Sequence, residues 1–231
     1  MAVNRDFSST DSRVHIFSSN VATFKATASK VTELINKGIQ SHKTSHVIVA
    51  SGNSISQTLG LLSKDDADWS KVNWYLADER CVAQDDKLRN DVQVARVLKK
   101  SLGENFGRVI SASSSLSPKE AASEYASRIN AIDMFDFCLL GMGNDGHIAS
   151  LLPKHPALNS NQLCSDIYDS PNPPATRITV TLKLMHRVSN RILVTAGSGK
   201  SSAVHDYIMN PQAPVRLYNP TAIFADQAAY A

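Results

Sequence analysis

Short apolar runs alternate with helical stripes along nearly the whole chain, and several of the runs stop at a polar segment. From Asn20 the positions Val21, Phe24, Ala28, Val31, Leu34, Ile35 and Ile39 keep a helical period, after which HVIVA (46–50) forms an apolar run closed by Ser51-Gly52. Ile55, Leu59 and Leu62 predict a second helix, and NWYLA (73–77) a second strand halted by Asp78-Glu79-Arg80. Val92, Ala95, Leu98 and Leu102 mark the face of a third helix. Ser117-Pro118-Lys119-Glu120 opens a fourth as a capping box with proline in its first turn, and Ala121, Tyr125, Ile129 and Ile132 form its apolar face. FDFCLL (135–140) reads as a buried strand running into Gly141-Met142-Gly143. Five prolines between Pro153 and Pro174 predict an irregular excursion without helix. Beyond it come ITVT (178–181), a short helix near 182–188, the strand RILVTA (191–196), a helix after Gly199 and the run TAIFA (221–225). Such alternation predicts an α/β fold, a mostly parallel sheet with helices on both faces in a three-layer, Rossmann-like open arrangement. With 231 residues and neither repeat nor linker, the expectation is a single domain over 1–231, residues 1–14 being a flexible N-terminal tail.

Composition narrows the partners. Hydrophobic residues at 42% and charged residues at 19% supply a core and argue against disorder. The net charge of +3 collects into no run that would suit a nucleic acid or a membrane surface, so an anionic partner should be small. No stretch reaches the apolar length of a membrane span and the first thirty residues lack a signal peptide's apolar core. Cys81, Cys138 and Cys164 are odd in number and form no CxxC pair, against a disulfide framework or a structural zinc site. The expectation is a soluble, cytoplasmic protein, a monomer by default.

The polar residues gather after predicted strands: Ser51-Gly52-Asn53-Ser54, Asp78-Glu79-Arg80, Gly141 to His147, and Gly197 to Lys200. In a parallel sheet these carboxyl ends share one edge, so the four segments should meet in one cleft. That cleft would hold loop amides, hydroxyls and the cations Arg80 and Lys200, a set that suits a phosphate, beside one imidazole and two carboxylates from His147, Asp78 and Asp145. Gly141-Met142-Gly143-Asn144-Asp145-Gly146 matches GxGxxG, with Asp166 twenty residues on. Pro153 nevertheless ends any following helix within two turns, and Asp145 would sit where pyrophosphate belongs, which argues against a dinucleotide. Gly199-Lys200-Ser201 ends like a P-loop, but Val194 stands where its first glycine should be. No GxSxG elbow is present, and no further His or Cys stands at ligand spacing to complete a metal shell around His147 and Asp145. No metal and no cofactor are expected.

Four ordered motifs, DWSKVNWYLADERCV (68–82), FDFCLLGMGNDGHIASLLP (135–153), PNPPATRITVTLKL (171–184) and VTAGSGKSSAV (194–204), make the chain resemble the 6-phosphogluconolactonase family, within the wider group that includes glucosamine-6-phosphate isomerase (deaminase). The deaminase branch has DEY, and a glutamate shortly after its histidine in HIAFNEP. This chain has Asp78-Glu79-Arg80 and, from His147, HIASLLP, so it resembles the lactonase branch. It departs from that branch at Asn53, where the loop is commonly SGGSTP, and at Arg89, where a serine usually precedes Asn90.

The resemblance implies opening of the ring ester of 6-phospho-D-glucono-1,5-lactone by water to give 6-phosphogluconate, in the oxidative pentose phosphate pathway. His147, held at the start of a helix, would be the general base, since an imidazole can take and return a proton near neutral pH. Asp145 would orient that imidazole or a sugar hydroxyl, cap the following helix, or both. Asp78 would contact the sugar or the attacking water, unless it only bonds its own turn. Arg80, Arg177 and Lys200 would neutralise the phosphate and the developing oxyanion, the alternative for Arg177 and Lys200 being a solvated or salt-bridged surface position. Ser51, Gly52, Asn53 and Ser54 would supply hydroxyl and amide donors, or form a plain tight turn. Other readings are a deaminase-like enzyme and a sugar-phosphate-binding module without chemistry.

Overall fold

The structure is a computed structural model that describes residues 11–231. Of the expected tail, residues 1–10 lie outside the described residues, and 11–14 belong to the fold. The Arg13 guanidinium pairs with Asp11 at 2.7 Å and donates to Asn219 at 2.9 Å, and Val14 opens strand β1 (Val14–Phe17). The long helix α1 (Asn20–His42) follows, capped by the Ser19 hydroxyl and burying Phe24, Ala28, Val31, Leu34 and Ile35 of the stripe its period predicts, with Ile39 partly buried and Val21, in the first turn, exposed. Then come β2 (Ser45–Val49), α2 (Asn53–Leu59), β3 (Val72–Leu76), β4 (Asp78–Arg80), α3 (Asn90–Leu102), β5 (Arg108–Ile110), α4 (Pro118–Asn130) and β6 (Phe137–Gly141). The second half holds β7 (Cys164–Ile167), β8 (Arg177–Val180), α5 (Leu182–Met185), β9 (Arg191–Thr195), α6 (Ser201–Met209), α7 (Pro214–Tyr218), β10 (Ala222–Asp226) and α8 (Gln227–Tyr230).

Seven strands form one all-parallel sheet in the order β1-β10-β9-β6-β2-β3-β5. Its central strands are buried almost throughout, as a sheet covered on both faces requires. From β2 the chain steps outward to β3 and β5, and from β6 it steps the opposite way to β9 and β10. Right-handed crossovers therefore lay α1 to α3 on one face and the helices after β5, β6 and β9 on the other. The direction reverses between the paired strands β2 and β6 (Val47↔Phe137, Val49↔Leu139), so their carboxyl ends splay apart and leave a crevice.

A second sheet, β4-β8-β7, is antiparallel and corrects two expectations. ITVT belongs to this sheet, not to the main one, and the proline-rich excursion is not wholly irregular. It contains a 3-10 turn over Pro156–Asn159 and the strand β7, because prolines confined to its two ends leave 161–170 free to pair with β8. In α3 the buried apolar positions are Val94, Leu98 and Leu102, so Val92 and Ala95 lie to one side of the face that packs. The capping box of α4 forms in full, Ser117 accepting from the Glu120 amide and Glu120 from that of Ser117. Among the described residues no helix is long and apolar enough to cross a membrane.

Candidate active site

The crevice at the β2/β6 reversal opens into a cleft of about 440 Å³. After β2, Ser51, Gly52, Asn53 and Ser54 line it. Gly52 has φ +110°, a conformation open to glycine and strained for any side chain, and it turns the chain directly into α2. After β3, β4 brings in Asp78 and Arg80, and β8 beside it brings in Arg177. The loop after β6 supplies Gly143, Asn144 and His147, and the turn after β9 supplies Lys200.

His147 does not start a helix, contrary to expectation. Residues 142–152 form a compact turn in which the Gly143 amide donates to the His147 carbonyl at 2.8 Å, and Ile148 and Leu151 bridge. Two features exclude a helix: Gly146 and Ala149 both have positive φ, and the backbone groups bond within the loop. Asp145 therefore caps no helix. Its carboxylate lies outside the cleft lining and accepts from His147 Nδ1 at 2.5 Å and from the His147 amide at 3.3 Å. With Nδ1–H committed to Asp145, the Nε2 lone pair is left free for proton transfer. Burial works against the Asp145 carboxylate, but the charge and hydrogen bonds of His147 outweigh it and hold its pKa below the usual carboxylate range.

Asp78 is buried and accepts from the Ser150 hydroxyl at 2.7 Å, so it does not bond its own turn. Arg177 is also buried. It donates to the carbonyls of Asn172 (2.6 Å) and Pro174 (3.1 Å) and reaches Ser150 at 3.5 Å. Burial lowers its pKa, the charge of Asp78 opposing and that of Arg80 adding to the effect. Arg80 stands directly opposite Arg177 in the β4/β8 register, donates to the Leu88 carbonyl at 2.7 Å, and leaves its buried Nε without a partner. Lys200 is half-buried and donates to the Met142 carbonyl at 2.6 Å. Burial lowers its pKa against the pull of Asp145. Neither Arg177 nor Lys200 is thus a solvated or ion-paired surface cation.

Two neighbours escape sequence reasoning. Asn90 at the start of α3 accepts from the Ser51 hydroxyl (2.7 Å) and donates to the Asp78 carbonyl (2.9 Å), tying two strand ends together. Its place directly after a loop and ahead of a helical stripe was the available signal. Ser150, which links Asp78 and Arg177, carries no signal in a serine-rich chain.

The comparisons agree with this architecture. The model of the family described as Glucosamine-6-phosphate isomerases/6-phosphogluconolactonase matches residues 18–228. A probable 6-phosphogluconolactonase 2 of Oryza sativa subsp. indica is 35% identical over 207 residues, covering 75% of this chain and 72% of the relative. A probable 6-phosphogluconolactonase 1 of Arabidopsis thaliana is 34% identical over 223 residues, covering 83% and 81%. Among solved structures, a 6-phosphogluconolactonase from Shewanella baltica superposes with a TM-score of 0.84 at 24% identity over 94% of this chain and 98% of its own, a likeness of fold. Fold, cleft and sequence converge: the chain belongs to the glucosamine-6-phosphate isomerase/6-phosphogluconolactonase family.

Proposed function

We propose that this chain hydrolyses 6-phospho-D-glucono-1,5-lactone to 6-phosphogluconate, as one domain and without a cofactor. One observation carries the reading: a carboxylate-oriented imidazole opens onto the same cleft as two arginines that face each other across a strand pair. The arginines, with Lys200 and the Ser51–Ser54 turn, suit a phosphate dianion, while the imidazole suits a water that must lose a proton. Against the deaminase reading, Leu152 stands where the resemblance calls for an acid, and Arg80 where it calls for tyrosine.

In the proposed reaction, His147 Nε2 takes a proton from water as its oxygen adds to the lactone carbonyl, and Asp145 holds the Nδ1–H and balances the imidazolium. A cation of the cleft steadies the oxyanion. The tetrahedral adduct then breaks its bond to the ring oxygen, which receives the proton from Nε2, and the open-chain acid loses its proton to solvent. Asp78, fixed by Ser150, is placed to hold a sugar hydroxyl or the attacking water. The free thiols of Cys81, Cys138 and Cys164 suit a reducing compartment such as the cytoplasm.

Lactone made freshly from glucose 6-phosphate tests the reading. Its disappearance should outpace spontaneous hydrolysis in the presence of the protein, and the His147→Ala variant should lose most of that excess. Binding of 6-phosphogluconate with an unchanged rate would mark a module without chemistry, and ammonia released from glucosamine 6-phosphate would mark a deaminase.

A further inference from the structure

We infer that Arg89, which does not line the cleft, is a positioning residue for its phosphate-binding side. The inference rests on the lactonase reading above for its kinetic readout, and on the following geometry for its substance. Arg89 is 1% exposed. Its guanidinium grips Asp91 through two parallel bonds of 2.9 and 2.8 Å, donates to the Ser111 hydroxyl (2.8 Å) and the Ala112 carbonyl (3.0 Å), and lies 3.5 Å from Glu79. A cation withdrawn from water this completely is retained only where buried negative charge needs it.

Asp91, in direct contact, and Glu79 beside it are the two acids that supply that charge. Arg89 is the N-cap residue of α3 but its side chain does not cap, and the orphan amides of the helix go instead to Glu79, which accepts from Asn90 (2.7 Å) and Asp91 (2.9 Å). The same carboxylate accepts from the Arg80 amide at 2.7 Å. One buried acid thus clamps the start of α3 to the strand that carries Arg80. With its backbone held by Glu79, Asn90 is free to use its side chain on Ser51 and on the Asp78 carbonyl. Three cleft residues, Ser51, Asp78 and Arg80, therefore take their position through Glu79. Burial, and then the charge of neighbouring Asp91, raise the pKa of the Glu79 carboxyl, and among the described residues Arg89 is the cation in contact with both acids. Without that guanidinium the two buried acids face each other with no cation between them, and Glu79 is driven to take up a proton or to draw back from the amides. A protonated oxygen donates and no longer accepts freely, so one of the three amides loses its partner and the clamp loosens. The His147–Asp145 pair sits on a separate loop after β6 and is untouched.

The test uses the full chain with Arg89→Met, Arg89→Lys, Glu79→Gln and the double variant Arg89→Met/Glu79→Gln. Turnover is measured on the lactone, and 6-phosphogluconate binding by calorimetry. Arg89→Met and Glu79→Gln should each raise KM and the Kd for 6-phosphogluconate about tenfold, the size of one weakened charge-assisted hydrogen bond, with kcat within about threefold. Arg89→Lys should recover most of the loss, and the double variant should be no worse than the poorer single, since both act through one clamp. Unchanged KM and Kd in a folded variant, a fall confined to kcat, or losses that multiply in the double variant would overturn the inference. If Arg89→Met does not fold, Glu79→Gln and Arg89→Lys carry the same comparison. If the parent chain does not hydrolyse the lactone, the lactonase reading fails while the 6-phosphogluconate arm still decides the role of Arg89.

Discussion

In the proposed reaction His147 depends on two neighbours, one that holds its Nδ1 proton and one that leaves room for the ring. The first is Asp145, whose carboxylate is kept ionised by the imidazole beside it. Removing the base altogether, His147→Ala, should lower kcat by about 10²–10⁴-fold. Asp145→Asn keeps the shape but loses the charge, so kcat should fall to between wild type and His147→Ala, with KM nearly constant. Both are read from lactone consumption corrected for spontaneous hydrolysis, and an Asp145→Asn enzyme at full speed would exclude an orienting role. The second neighbour is Gly143, where an added Cβ would fall inside the contact distance of the His147 ring and the Asp145 carboxylate. Gly143→Ala should therefore leave folding intact and slow turnover by up to about 10²-fold through misplacement of the imidazole. A variant of wild-type kcat would show that the ring has another place to go. Ala149, held at φ +48° at the rim of the cleft, belongs to the same loop, and its turn brings Ser150 inward to Asp78 and Arg177.

Two tyrosines strut helices against the parallel sheet. Tyr125 of α4 donates to the Leu76 carbonyl at 2.8 Å, and Tyr218 of α7 donates to the Cys138 carbonyl at 2.8 Å, each from a fully buried position. Tyr125→Phe and Tyr218→Phe should each destabilise by about 1 kcal/mol in urea unfolding, and the two losses should add because the bonds end on strands separated by β2 and share no partner. Neither phenol lines the cleft, so kcat should not move, and a fall in kcat would mean that these struts transmit strain to the site. The helices and central strands that these residues join were legible as patterns: HVIVA, FDFCLL and RILVTA each hold a continuous apolar run because β2, β6 and β9 are covered on both faces. The short edge elements were not. No residue of β1 is buried, β5 spans three residues, and β7 is the half-polar CSDI, so none carries a run long enough to stand out. The strand β4 reads as a charged turn, Asp78-Glu79-Arg80, because its strand character comes from pairing with β8, which lies far along the chain. The same long-range pairing is why Arg177 entered the site reading through resemblance, and why its alignment with Arg80 could not be seen in the sequence.

At the scale of the molecule, the site exists because the chain reverses direction between β2 and β6, which leaves a crevice that no side chain of the sheet fills. Into that crevice the second sheet directs Arg80 and Arg177 from directly opposed positions, an arrangement that is unfavourable for an empty protein, since like charges across a strand pair repel. The unpartnered, buried Nε of Arg80 adds to the imbalance. The fold thus carries a local excess of positive charge that a bound dianion would relieve, and stability and binding should pull in opposite directions at this point. Arg80→Met keeps most of the side chain's bulk while removing its charge, so the ligand-free variant should be more stable than the parent by a few tenths to about 1 kcal/mol. With 6-phosphogluconate at 100 times its Kd, the parent should gain about 2.7 kcal/mol. For a chain of this size that is a rise in Tm of roughly 5–10 °C. At the same ligand concentration the variant should gain much less, so that the order of the two melting curves inverts. Thermal melts of both proteins with and without ligand measure all four states. An Arg80→Met protein that is less stable when empty and is protected as strongly as the parent would mean that Arg80 supports the fold instead of the phosphate.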